Sequence, residues 1–553
     1  MTTIESSPEV VAAATGSSAD DADASNWVDR FIDVFTSTDH KIIGRHYFAS
    51  GLAGLLAIVV VNVLIGIERL DGTDIALDAE IIPQLLDAQR VGLVFVVMLP
   101  LAMAIAVAFG PIQIGARSIA FPRLAFTGFW MWLGGAVLTI VALVNNGGTL
   151  GGDADMVDLF IIGLGLCALG LTATAIAVAT GILTSRAPGM TMRRVSASTW
   201  SALVFSLGLV LVMPVLLGTL GYLFLDHRNS RTGFGGNEGI LTWVGWIFTQ
   251  PATFLFAIPA VGLLVEVFPV VFGKRTPARG VMFAGIALIG VATFGAITQQ
   301  NIQNLPWSGS ELSTADLDEK ARDLVPFLLF NGLPILGMLI VLLVALQIAR
   351  PTEGMRIKVT PAVFFAFFGY GMIFVGMLGN LIHAIDDLGA QGTVFEEASF
   401  VYIAYGAALG AMGAIVHWAP KLWGREIKGA LAIPLAFLGV AATILATFPL
   451  FIAGLLDQPA GVAYDDSDLQ IWNVLSLIGH SLMAITAFAF VIIIITSLFG
   501  RHDSDDVGDD PWGGQTIEWA TTSPAPRDNF VDVPVIRSAE PMYDLRSNDG
   551  SET

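Results

Sequence analysis

Long apolar runs separated by short polar loops set the pattern of this chain. Twelve stretches, at approximately 46–68, 91–113, 123–145, 156–184, 198–225, 240–268, 280–299, 324–349, 360–384, 397–419, 430–455 and 471–499, are each long and apolar enough to form a membrane-crossing helix. About 20 such residues cross the roughly 30 Å of a bilayer's hydrocarbon, where no water is at hand and the backbone must bond to itself. The pattern predicts an all-α integral membrane protein with twelve transmembrane helices.

The polar loops alternate in sign. Lys41 and Arg45, Arg117 and Arg123, Arg186 with Arg193 and Arg194, Lys274 with Arg275 and Arg279, Arg350 with Arg356 and Lys358, and Lys421 with Arg425 and Lys428 fall on one side. Asp71 and Asp74, Asp153 and Asp155, the run Glu311 to Asp323, Asp386 and Asp387, and Asp465, Asp466 and Asp468 fall on the other, with Arg228 and Arg231 as basic exceptions. Basic loops are retained inside, so both termini are expected in the cytoplasm, in the plasma membrane of a bacterium or an archaeon.

Composition excludes a soluble globule: 54% of the 553 residues are hydrophobic and 13% charged, and the mean hydropathy is +0.72. The net charge of -20 argues against nucleic acid as a partner and in favour of the lipid bilayer, with the acidic loops solvating the surface. Steering of a basic electron carrier is the second reading of those loops. The single cysteine, Cys167, lies within an apolar stretch and permits no disulfide within the chain. Residues 1–26, rich in Ala, Ser and Asp, carry no secretory signal pattern and are expected to be disordered. A membrane domain over 27–500 and a cytoplasmic tail over 501–553 follow.

Several local strings are more specific than general membrane-helix vocabulary. Ser37-Thr38-Asp39-His40-Lys41-Ile42-Ile43-Gly44 opens the first helix, and Ile114-Gly115-Ala116-Arg117 is followed by Ala120-Phe121-Pro122-Arg123. Arg186-Ala187-Pro188-Gly189-Met190-Thr191-Met192 comes next, and Trp472-Asn473 opens the last helix. The tail carries Pro511-Trp512-Gly513-Gly514-Gln515-Thr516-Ile517-Glu518-Trp519-Ala520, then Ser523-Pro524-Ala525-Pro526 and Asn529-Phe530. Over roughly residues 36 to 546 the chain resembles subunit I of the haem-copper (cytochrome c) oxidases. The resemblance implies twelve helices in the oxidase subunit I arrangement.

In that family, histidines hold two haems and a copper between the helices. The resemblance places the haem-ligand positions at Gln89, Tyr405 and Ala407, and the copper-ligand positions at Gln250, Gln299 and Gln300. The proton-path positions fall at Ser118, Ala252, Phe254 and Met338, the arginine pair that meets the haem propionates at Ala460 and Gly461, and an outer metal-holding pair at Glu397 and Ala398. None of these is the family's residue, so neither haem nor copper is expected. The chain's seven histidines include no two one turn apart on a helix, and His383, His417 and His480 on apolar helices are read as ordinary hydrogen-bonding groups. Gln89, Gln250, Gln299 and Gln300 are read as interhelical hydrogen-bonding residues, worth ~0.6 kcal/mol each. Trp246, Phe254, Phe294 and Tyr405 are expected to fill the space that a haem takes.

The function expected is that of a non-catalytic subunit I-like protein, a structural or regulatory partner beside other oxidase-like subunits. An active terminal oxidase subunit is the first alternative. The second is a transporter or ligand-binding protein with a polar core at Gln299, Gln300, Asn301, Gln303 and Asn304.

Overall fold

A computed structural model describes residues 36–70, 81–231, 233, 236–248, 252–298, 325, 327–353, 355, 357–383, 388–460, 468–499, 507–533 and 535–549. The N-terminal segment expected to be disordered, and Gln250, Gln299, Gln300 and Gly461, lie outside the described residues.

Eleven helices among the described residues are long and apolar enough to cross a membrane. They comprise α1 (His40–Glu68), α2 (Ile82–Gln113), α3 (Pro122–Val144), α4 (Ala154–Thr184), α5 (Ala197–Arg228), and a sixth span made of α6 (Ile240–Phe248) and α7 (Ala252–Phe272). After α8 (Arg279–Gly290) and α9 (Thr293–Thr298) come α10 (Leu328–Ala349), α11 (Pro361–His383), α12 (Phe395–Trp423), α13 (Gly429–Leu455) and α14 (Gln470–Phe499). The predicted stretch at 280–299 departs from a single long helix. At Val291 and Ala292 the backbone N–H groups turn to the carbonyls of Leu288 and Ile289, both at 3.2 Å, and α8 gives way to α9. A two-stranded hairpin, β1 (Gly147–Gly148) with β2 (Gly151–Gly152), joins α3 to α4.

Consecutive helices pack side by side, and α14 returns against α1 to close the ring. The spans α2, α6–α7 and α12 are buried almost throughout, while the others turn part of their surface to lipid. Small residues let these inner helices approach closely. A Cβ on Gly410 of α12 would stand 2.4 Å from the Ala260 Cβ of α7, and one on Gly369 of α11 would stand 2.7 Å from the Gly406 carbonyl oxygen. Within α2 a π-helical segment, Gly92–Met98, begins three residues after Gln89. The Phe95 carbonyl in that segment accepts the Trp132 indole N–H at 2.9 Å.

One face of the bundle is covered by the C-terminal segment. Trp512, Ile517, Trp519, Phe530 and Ile536 are buried there. Asp39 caps α1 by accepting the Lys41 N–H at 2.9 Å. His40 Nδ1 faces the Val107 carbonyl at 3.0 Å and must donate to it. Its Nε2 then accepts from Asn529 Nδ2 at 2.9 Å, while Asn529 Oδ1 takes the Lys41 ammonium at 2.9 Å. Strings from opposite ends of the sequence thus meet as one buried clasp.

Candidate functional site

At the end of the bundle away from the tail, α1, α2, α12 and α14 bring six polar side chains together in the interior. Asn62 lies on α1 and Arg69 immediately follows it; Gln89 lies on α2, Glu397 and Tyr405 on α12, and His480 on α14. Glu397 and Tyr405 are separated by about 12 Å along α12 at ~1.5 Å per residue, so the cluster reaches from the helix end into the membrane interior.

The outer half is an ion pair. Both Glu397 oxygens accept guanidinium N–H groups of Arg69, Oε1 from Nη1 at 3.2 Å and Oε2 from Nη2 at 2.5 Å. Gln89 Nε2 donates to the same Oε1 at 3.2 Å. The side chains are only 5% (Arg69) and 11% (Glu397) exposed. The fork geometry supplies the attraction that offsets taking both charges out of water.

The inner half is neutral. Asn62 Nδ2 donates to the Tyr405 phenol oxygen at 2.6 Å, and the phenol donates in turn to His480 Nδ1 at 2.9 Å. That order fixes His480 as the tautomer with its proton on Nε2. His480 also lies within electrostatic reach of Glu397 and Arg69, which joins the two halves. Asn62 Oδ1 is buried with no partner among the described residues. Chemically the arrangement can cross-link four helices and hold a defined line of protons from Tyr405 to His480.

The other positions named from the resemblance do not join this cluster. Ala407 lines a cavity of about 10 Å³ among apolar residues that include Met98, Leu101, Phe256 and Ala260, too small to hold more than a single water. Ala252, Phe254 and Met338 are buried in the core, and the Met338 carbonyl accepts the Tyr370 hydroxyl at 2.5 Å. Ser118 is half-buried and reaches the Thr38 carbonyl at 3.5 Å. The Ala460 N–H donates to the Gly392 carbonyl at 2.8 Å. Of the aromatic residues expected to fill the core, Trp246, Phe254 and Tyr405 are buried, whereas Phe294 is 51% exposed. Its place at the start of α9, just past the break in the helix, turns it outward.

Sequence reasoning missed Asn62 and Arg69. The signal was present: a polar amide inside an apolar run and an arginine at its far end, in a loop otherwise acidic, are expensive in lipid and mark a partner.

Residues 42–298 match the family model described as Cytochrome C and Quinol oxidase polypeptide I. The cytochrome c oxidase subunit 1 of Bacillus subtilis is 28% identical over 552 residues, covering 92% of this chain and 82% of that protein. The corresponding subunit of Corynebacterium glutamicum is 29% identical over 548 residues, covering 93% and 88%. A heme-copper terminal oxidase dimer solved by cryo-electron microscopy shares the fold, with a TM-score of 0.63 at 13% identity, over 93% of this chain and 89% of that one.

These matches correct the expectation that neither haem nor copper belongs with this chain, because the family they point to is that of the haem-copper oxidases, which carry both. The described side chains at the expected haem-ligand positions do not fit a haem. The Gln89 amide is bonded to Glu397 and the Tyr405 phenol to Asn62 and His480, and Ala407 offers a methyl group. Sequence similarity along nearly the whole chain and a common helical architecture make this integral plasma-membrane protein similar to subunit I of the haem-copper oxidases.

Proposed function

We propose that this chain is a non-catalytic member of the family, a structural or regulatory partner for other subunits of a respiratory complex, with both termini in the cytoplasm. The observation that carries the reading is the hydrogen bonding of Gln89 and Tyr405. Both spend their polar atoms on holding α1, α2, α12 and α14 together. Alternating basic and acidic loops support the orientation.

A second reading, an active terminal oxidase subunit that reduces oxygen, is favoured by the names of the relatives, which are cytochrome c oxidase subunits along almost their whole length. The polar cavity expected at Gln299–Asn304 falls outside the described residues.

Oxygen uptake separates the two readings. The chain is purified with whatever subunits accompany it and supplied with reduced cytochrome c or a quinol. The non-catalytic reading expects no turnover that scales with the amount of this chain, and a loss of partner subunits from membranes when the chain is deleted. Turnover that scales with the chain and is abolished by Tyr405→Phe supports the oxidase reading and sinks the first.

A further inference from the structure

On the face covered by the tail, two carboxylates are buried together. Glu266 is the only charged residue in the stretch 240–272. Glu518 lies in a short turn of the tail, Ile517–Ala520, and is 1% exposed. Glu266 Oε2 accepts the Ser198 backbone N–H at 3.1 Å, and its Oε1 accepts the Thr516 hydroxyl at 3.2 Å. Glu518 Oε1 accepts from Gln113 Nε2 at 3.0 Å and from the Trp418 indole at 3.2 Å. The orientation of Gln113 is fixed, since its own oxygen takes the hydroxyls of Ser196 and Thr199, both at 2.9 Å. Glu518 Oε2 is buried and has no partner among the described residues.

The two carboxylates are tied into one network: Ser198 bonds Glu266, its neighbours Ser196 and Thr199 bond Gln113, and Gln113 bonds Glu518, and Glu266 lies within electrostatic reach of Glu518. A hydroxyl has one hydrogen to give, and that of Thr516 goes to Glu266. Glu518 Oε2, left without a donor, is better accommodated in this buried site when its carboxyl carries a proton.

The neighbouring charges do not remove this need. Arg279, at the start of α8, pairs with Glu540 at 3.1 Å and also donates to the Val195 carbonyl. Lys421 on α12 gives its ammonium to the carbonyls of Asp509 and Thr521. Asp510 is paired with Arg546. His417, on α12 against the Trp519 ring, has both ring nitrogens buried without a partner among the described residues. Burial pushes the Glu518 carboxyl above its ordinary value.

Beside Glu266 is a cavity of about 20 Å³ lined by Ser196, Arg279, Gln515 and Thr516, enough for one water. Gln515 gives its Nε2 to the carbonyls of Pro269 and Lys274, at 2.8 and 3.0 Å. Its oxygen is a buried acceptor without a partner among the described residues, and Arg279 Nε is a buried donor in the same state. Those groups and Glu266 give a water both partners to accept from and partners to donate to.

We propose that Glu266 and Glu518 form a single-proton binding site, in which one proton carried by this buried carboxyl network fastens the tail to the helix bundle. Two neighbouring carboxylates in a poorly hydrated site, met only by neutral donors, do not readily both ionise. The proton comes from water and returns to it, and nothing else changes hands. The site stands whether or not the chain turns over oxygen.

Released from the bundle, Glu518 titrates as an exposed carboxyl, near ~4.3; docked, it titrates higher. Docking is therefore at full strength below the ordinary carboxylate value. It weakens about tenfold per pH unit between the two values and levels off above the docked one.

The test uses the full chain in lipid nanodiscs and follows proteolytic cutting of segment 507–533 against pH, together with the infrared band of protonated carboxyl groups. The wild-type chain is expected to show about a tenfold rise in cutting per pH unit followed by a plateau. Glu266→Gln and Glu518→Gln are each expected to flatten the rise and to remove one protonated-carboxyl band. If Glu518→Gln does not accumulate, Glu266→Gln carries the test alone. An unchanged pH profile in these variants overturns the proposal. So does a docking response to sodium or potassium at fixed pH that matches the response to protons, since that marks a metal-cation site.

Discussion

The bundle buries acidic side chains at both ends, and the two ends handle them differently. Away from the tail, Glu397 meets a guanidinium in a forked pair and Gln89 takes a further bond to it. Under the tail, Glu266 and Glu518 meet only neutral donors, and the nearby cations are held by other groups. A buried carboxylate can be balanced by a fixed cation or by a proton. The first gives a permanent cross-link, and the second a contact that responds to pH.

Breaking the fixed pair has the largest expected effect. Arg69→Met strands the Glu397 charge and is predicted to cost about 3–5 kcal/mol in detergent unfolding. The double variant Arg69→Met/Glu397→Met is predicted to regain most of that loss, and failure to regain it would show that Arg69 has a further role. Tyr405→Phe removes the link between Asn62 and His480. Leaving their polar atoms buried without a partner is predicted to cost about 1–3 kcal/mol in the same assay.

The contrast between the ends is sharpened by pH. Glu397→Gln is expected to leave the rise in tail cutting unchanged at about tenfold per pH unit, whereas Glu518→Gln abolishes it. Equal responses in the two variants would mean that the ends are not independent. The smallest effect belongs to Gln89→Leu, which deletes one interhelical bond while Arg69 still neutralises Glu397. About 0.6 kcal/mol is expected on unfolding.

The helical architecture could be read from the sequence because lipid leaves the backbone few choices. A run of twenty apolar residues in a bilayer is a helix whatever its neighbours do. The stretch at 280–299 resisted this reading, since its break depends on the local backbone turn at Val291 and Ala292 and not on its apolar content. Gln89 and Tyr405 could be located from their neighbours in sequence. Their partners could not, because Asn62, Arg69 and His480 reach the cluster from α1 and α14, at opposite ends of the membrane domain. Glu266 advertised itself as a lone charge in an apolar stretch, but nothing local pointed to Glu518, which the tail brings back across the bundle.

The clasp of His40 and Lys41 on Asn529 also sets a schedule. Those contacts join residues 489 positions apart. At roughly 5–20 residues per second a ribosome needs about 25–100 s to cover that distance. For that interval the start of α1 exists without the groups that complete it, and its imidazole and ammonium rely on water or on a chaperone. Only a chain translated through Asn529 can complete the clasp at that face.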